Sequence, residues 1–148
     1  MWRRSNANAL SNVKSGLVWD FWELTMQHSE GFLSIVNDAK SRIREISPAE
    51  TQQKLDRGDA FQFIDVREDN EWDKGHAKGA RHLGKGIIER DIEGQVPDHN
   101  AEIVLYCGGG YRSALAADVL QKMGYTRVLS MSGGYKEWAG NGLPVEKD

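Results

Sequence analysis

Glu102-Ile103-Val104-Leu105-Tyr106-Cys107-Gly108-Gly109-Gly110-Tyr111-Arg112-Ser113 is the stretch that decides the fold. Residues 102–106 are aliphatic and aromatic and predict a buried strand. Three glycines interrupt it, and residues 113–123 predict a helix stopped at Gly124. Residues 126–129 predict the next strand. Upstream, Ser47-Pro48-Ala49-Glu50 predicts a helix start: Ser47 can cap, Pro48 suits the first turn, and Glu50 completes a capping box. That helix is expected to reach Arg57 and stop at Gly58. A short strand follows at residues 61–64. Residues 68–82 predict a loop with one helical turn around Glu71 and Trp72. His82-Leu83 predicts a brief strand, and residues 84–100 hold a weak helix. Downstream, Met131-Ser132-Gly133-Gly134 predicts a turn into a helix through Trp138, ended by Gly140-Asn141-Gly142. Strands alternating with helices predict an α/β domain with a mainly parallel central sheet flanked by helices.

The 148 residues suffice for one domain with a real core. Composition is 39% hydrophobic and 28% charged, which is that of a globular chain. Nineteen basic and twenty-two acidic side chains give a net charge of -3, which disfavours nucleic acid as a partner. The single cysteine, Cys107, excludes an intramolecular disulfide and a thiolate zinc cage. No apolar run is long enough to span a membrane. Two arginines near the start have no apolar stretch behind them, so a cytoplasmic setting is expected.

Residues 1–45 read differently, as an N-terminal helical extension to a domain at 46–148. Residues 5–15 are rich in Ser, Asn and Ala. Leu17, Val18, Phe21 and Trp22 cluster, and Phe32, Ile35, Val36, Ala39, Ile43 and Ile46 follow at helical spacing. One or two amphipathic helices are expected across residues 17–45, interrupted at Gly31. Their apolar stripe suits packing on the domain, or else a homodimer face through residues 17–45 or a partner-binding arm.

In an open α/β sheet, ligands sit beyond the carboxyl ends of the strands. Cys107 is placed there. Gly108, Gly109 and Gly110 let the backbone curl and turn several N–H groups inward. A helix N-terminus adds partial positive charge. The result is an anion cradle with the sulfur at its base, an environment that favours a nucleophilic thiolate. Arg112 is expected either to add charge at the rim or to brace the loop by pairing with a carboxylate. The glycines lack the spacing of a dinucleotide fingerprint and the Lys-Ser/Thr end of a P-loop.

Tyr106-Cys107-Gly108-Gly109-Gly110-Tyr111-Arg112-Ser113 resembles the active-site loop of the rhodanese (sulfurtransferase) family. Ile64-Asp65-Val66-Arg67-Glu68 resembles an earlier segment of the family. So do Glu71-Trp72, Gly75-His76 and Gly79-Ala80-Arg81-His82. Gly133-Gly134, Trp138, Gly142 and Pro144 resemble its closing segment. The resemblance covers residues 47–145 and implies the rhodanese-like three-layer fold. It also implies a chemistry. Cys107 takes the outer sulfur of a donor such as thiosulfate, becomes a persulfide, and passes the sulfur to cyanide or a thiol. The alternative is a persulfide carrier or docking module within a sulfur relay, with a protein donor or acceptor. Neither needs a metal or an organic cofactor. The related phosphatases use a loop one residue longer between cysteine and arginine, to hold a tetrahedral phosphate.

The substrate-binding loop is then Gly108, Gly109, Gly110, Tyr111, Arg112 and Ser113. Ser113 is read as a hydroxyl bonding loop backbone or persulfide sulfur. Asp65, Arg67 and His76 are supporting residues: Asp65 orients the loop or pairs with an arginine, Arg67 pairs with Glu71 or another carboxylate, and His76 ties loops together. Trp72 and Trp138 are expected in the core.

Overall fold

The computed structural model describes residues 28–148. The chain divides between Ile35 and Val36, and everything described below about the sheet and the site lies in Val36–Asp148. Helix α1 spans Glu30–Lys40, with Val36 and Ala39 buried. Gly31 lies in its first turn and does not interrupt it. Residues 17–27 of the expected amphipathic stretch lie outside the described residues.

The helix does not reach residue 45. It ends at Lys40, and Arg44–Ile46 forms strand β1, parallel to β6 (Arg127–Met131). Ile46 falls on the extrapolated helical stripe, yet it is buried in the sheet. A short apolar run fits either period, and tertiary pairing decides between them.

Helix α2 (Pro48–Arg57) forms as its start signals predict. Glu50 N–H donates to Ser47 Oγ at 3.0 Å, and Ser47 N–H donates to Glu50 Oε1 at 3.2 Å. Gly58 closes it at φ 72°, a left-handed conformation that suits glycine. Then come β2 (Gln62–Asp65), α3 (Asp69–Asp73), β3 (His76–Ala77), β4 (Arg81–His82), α4 (Ile88–Gln95), β5 (Glu102–Tyr106), α5 (Tyr111–Lys122), β6, α6 (Gly134–Gly140) and β7 (Val145–Glu146). A five-stranded sheet has the order β1-β6-β5-β2-β4, and all its described pairs are parallel. β3 and β7 form a separate antiparallel pair that the sequence did not suggest. The two-residue pairing leaves too short a pattern to read.

The sheet is covered on both faces, as parallel sheets require. Alternation along β5 sends Ile103, Leu105 and Cys107 into one core with Ile88, Ile92, Ala117 and Leu120 of α4 and α5. Val104 and Tyr106 enter the other, with Phe63, Met131 and Trp138. Three layers result: helices, sheet, helices. The same alternation aims Cys107 at the α5 side.

The order of strands also places the crevice. The chain runs outward from β2 to β4, returns across β2 to β5, and continues outward the other way to β6. The reversal lies between β2 and β5, where a ligand crevice is expected beyond the carboxyl ends. Asp65 and Tyr106 are register partners at that end, and Cys107 follows Tyr106.

Candidate active site

Cys107 is 1% exposed and sits directly after β5. The chain must reverse within three residues to start α5, and Gly110 takes φ 95° as the residue before that helix. This turn points N–H groups at the sulfur. Gly110 N–H donates to Cys107 Sγ at 3.1 Å, and Ser113 N–H approaches at 3.4 Å. Both belong to the first turn of a helix, whose leading N–H groups have no intrahelical acceptor. Ser113 Oγ lies 3.5 Å from Sγ and 2.8 Å from Ser130 Oγ of β6. The serine pair is wholly buried. Sequence reasoning missed Ser130, whose one signal was a polar residue at an otherwise buried strand position.

The carbonyls of the loop's first two residues are received by the start of α6. Tyr135 N–H donates to Cys107 O at 2.7 Å, and Lys136 N–H donates to Gly108 O at 3.1 Å. Gly134 makes this approach possible. A Cβ there would overlap Cys107 O and stand 2.6 Å from Gly108 C, at φ 56°.

Arg112 braces the loop; it does not stand as an unpaired charge at the rim. Its Nη1 donates to Glu71 Oε2 at 2.7 Å and its Nη2 to Glu71 Oε1 at 3.0 Å. The bidentate geometry is the strong form of such a pair. The Arg112 guanidinium holds the Glu71 carboxyl down at about 2, below its usual 4.5. Glu71 in turn raises Arg112 above its usual value. Glu71 also accepts Glu68 N–H at 3.0 Å, closing the first turn of α3. The pair spans the crevice, since α3 follows β2 and Arg112 follows β5. Glu71 was visible in the sequence, but as a partner for Arg67.

Of the carboxylates open to it, Arg67 takes Asp65 and not Glu71. Its Nε is 3.1 Å from both carboxylate oxygens, and Nη2 donates to Asp65 Oδ2 at 2.8 Å and to Gly75 O at 2.7 Å. Both residues are buried, and Arg67 stacks 4.2 Å from the Tyr135 ring centroid. This pair secures the loop after β2 rather than touching Cys107. His76 lies parallel to Trp72 at 3.5 Å between centroids, with Nε2 3.1 Å from Asp148 Oδ1. Trp138 is fully buried as expected, but Trp72 is not a core residue. It is partly exposed and stacks with both His76 and His82.

Tyr111 lies beside Gly109, with Lys40 Nζ 5.0 Å above its ring. A cleft of about 480 Å³ opens next to the site, lined by Arg67, Glu68, Asp69, His82, Leu83 and Ile87 among others. It lies beyond the carboxyl ends of β2 and β4, and Cys107 does not line it. No helix among the described residues is long and apolar enough to cross a membrane.

The model of the rhodanese-like domain family matches residues 47–141. The chain belongs to that family. Within it, the chain is 34% identical over 100 residues to the "putative sulfur carrier protein YrkF" of Bacillus subtilis. That match covers 68% of this chain and 53% of YrkF, so the chain spans about half the length of that relative. It is 35% identical over 80 residues to thiosulfate sulfurtransferase PspE of Escherichia coli, covering 54% of this chain and 76% of PspE. Among solved structures it is similar to a Rhodopseudomonas palustris protein of unknown function described as a possible tyrosine phosphatase. The TM-score is 0.71 and the identity 29%, covering 81% of this chain and 97% of that one. Its rhodanese-like relatives therefore include named sulfurtransferases and a named sulfur carrier.

Proposed function

We propose that this rhodanese-like chain is a sulfurtransferase that carries sulfane sulfur as a persulfide on Cys107. The observation that carries the reading is the convergence of Gly110 N–H and Ser113 N–H on Cys107 Sγ. Fixed backbone dipoles aimed at one sulfur stabilise negative charge that passes through it during transfer.

With thiosulfate, the Cys107 thiolate attacks the outer sulfur. The new S–S bond forms as the donor's S–S bond breaks, and its electron pair leaves with sulfite. Cyanide or a thiolate then attacks the outer sulfur of the persulfide, and Cys107 returns as thiolate. This is a two-step covalent scheme with one nucleophile. Gly108 to Ser113 form the binding loop in this reading. Asp65, Arg67 and His76 support it from the β2 side.

A phosphatase role is less well supported. Four residues separate Cys107 from Arg112, and both Arg112 Nη atoms are committed to Glu71. A transferring phosphoryl group needs that guanidinium for its own oxygens. The carrier alternative is favoured by the name of the YrkF relative, and differs from the enzyme in turnover.

Intact-protein mass after thiosulfate treatment tests the proposal. The expected result is one added sulfur on the native chain, none on the Cys107→Ser variant, and its removal by cyanide. Many turnovers with excess thiosulfate and cyanide mark an enzyme, and slow single loading marks a carrier. The absence of any adduct from thiosulfate or a persulfide donor would overturn both.

A further inference from the structure

We propose that Glu71 sets the charge of the donor: by holding Arg112 in a closed ion pair, it favours alkyl persulfides over dianionic donors such as thiosulfate. The inference rests on the reading of Cys107 as the sulfur carrier.

The pair is part of the loop's own wall. Arg112 Nη2 lies 3.1 Å from the point a Cβ on Gly108 would occupy, and Glu71 Oε1 lies 3.9 Å from it. The guanidinium therefore lies across the residue after the cysteine, with its carboxylate beside it. An anion entering here meets a neutral pair. To use Arg112 it must displace Glu71 and leave that carboxylate facing it across a few ångströms, which for a dianion is a strong repulsion.

The neighbouring charges do not reverse this. Arg67 is buried against Asp65. Lys40 lies over the Tyr111 ring and 3.9 Å from Glu45. The Glu137 carboxylate packs against Gly133 at the start of α6. Lys136 is exposed, so water and salt screen its ammonium. The Tyr111 ring lies beside Gly109, the next residue of the loop, and adds aromatic surface there. A neutral pair with aromatic surface on the same loop suits a carbon-bearing donor, R–S–SH. In that step the Cys107 thiolate bonds to the outer sulfur and the donor's S–S bond breaks. Its electron pair leaves with RS⁻, and the proton stays on the transferred sulfur.

The experiment measures kcat/KM for loading Cys107 in the full chain. The donors are thiosulfate, free cysteine persulfide, and a capped peptide bearing one cysteinyl persulfide. The ratio of thiosulfate to persulfide rates cancels general damage to the loop. E71Q is expected to raise this ratio about five- to tenfold, the effect of one unit charge on a dianion across a few ångströms of near-aqueous dielectric. R112Q is expected to lower it by a similar factor, and the double variant to return it near the native value. Rising salt should depress the thiosulfate rate of E71Q more steeply than that of the native chain. Faster loading from the peptide than from free cysteine persulfide assigns the source to a protein cysteine, and the reverse assigns it to a small thiol. A ratio unchanged in both single variants, with loading intact, overturns the role of Glu71. No loading from any donor overturns the sulfur-carrier reading beneath it.

Discussion

Replacing Gly134 with alanine should separate backbone strain from backbone collision. Gly134 and Gly142 both have positive φ, 56° and 73°. A Cβ at Gly142 would meet nothing within 4 Å. A Cβ at Gly134 would overlap Cys107 O and stand 2.6 Å from Gly108 C and 2.7 Å from Gly108 O. Those are backbone atoms of the loop, with no rotamer to yield. A left-handed alanine costs about 1–2 kcal/mol. Restricting the unfolded chain returns about 0.4–1 kcal/mol. Gly142→Ala should therefore lose roughly 0.5–1 kcal/mol. Gly134→Ala adds the displacement of packed backbone, about 1–3 kcal/mol, for a net loss of roughly 2–4. Urea unfolding of both full-length variants would measure this, through midpoints at unchanged m. The collision also pushes apart the Tyr135–Cys107 and Lys136–Gly108 hydrogen bonds. Displacing the loop by an ångström should slow Cys107 loading by about a hundredfold. Equal losses of stability at the two sites, within about 0.5 kcal/mol, would refute the steric argument.

Asp65→Ala strands the buried Arg67 guanidinium and should cost about 3–5 kcal/mol, read by urea unfolding; a loss below about 1 would contradict the pairing. Ser130→Ala removes the 2.8 Å bond to Ser113. It should cost about 1 kcal/mol while leaving Cys107 able to load, since the N–H donors to sulfur are untouched. The depressed Glu71 carboxyl makes its pair acid-labile: its contribution is full above about 4.5 and lost as pH falls toward about 2. Melts of the native chain and E71Q should therefore converge as pH drops through that window, and parallel curves would show that the pair contributes nothing.

Much of this architecture was legible because its signals are local. The Ser47–Glu50 capping box and Gly58 are complete within the residues they organise, and α2 has the predicted bounds. Residues 102–106 are apolar enough that β5 reads without ambiguity. β1 was misread because Ile43 and Ile46 continue the spacing of α1 by coincidence; its identity comes from pairing with β6, some eighty residues away. Loop residues 107–113 could be singled out from composition, but the partner of Arg112 could not. Arg67 and Arg112 each had Glu71 within plausible reach, and the choice depends on which strand ends adjoin across the sheet. Asp65 takes Arg67 two residues on, which leaves Glu71 to the crevice.

That allocation has a consequence for how the loop is held. The loop also presents two carbonyls, Cys107 O and Gly108 O, on the side away from α5, and buried carbonyls need donors. The loop's own helix cannot supply them, since the leading N–H groups of α5 face the sulfur. A second helix start must lie behind the loop. α6 provides it, through Tyr135 and Lys136. This explains why Gly133-Gly134, a quarter of a hundred residues beyond the cysteine, belongs to the same structural unit. It also explains why α6 begins with two glycines at positive φ. Two helix N-termini thus meet at one loop, one directed at Cys107 Sγ and one at the backbone that presents it. The Arg112–Glu71 pair closes the remaining side. The loop is thus held from two sides by groups outside it, and its shape does not depend on the glycine turn alone.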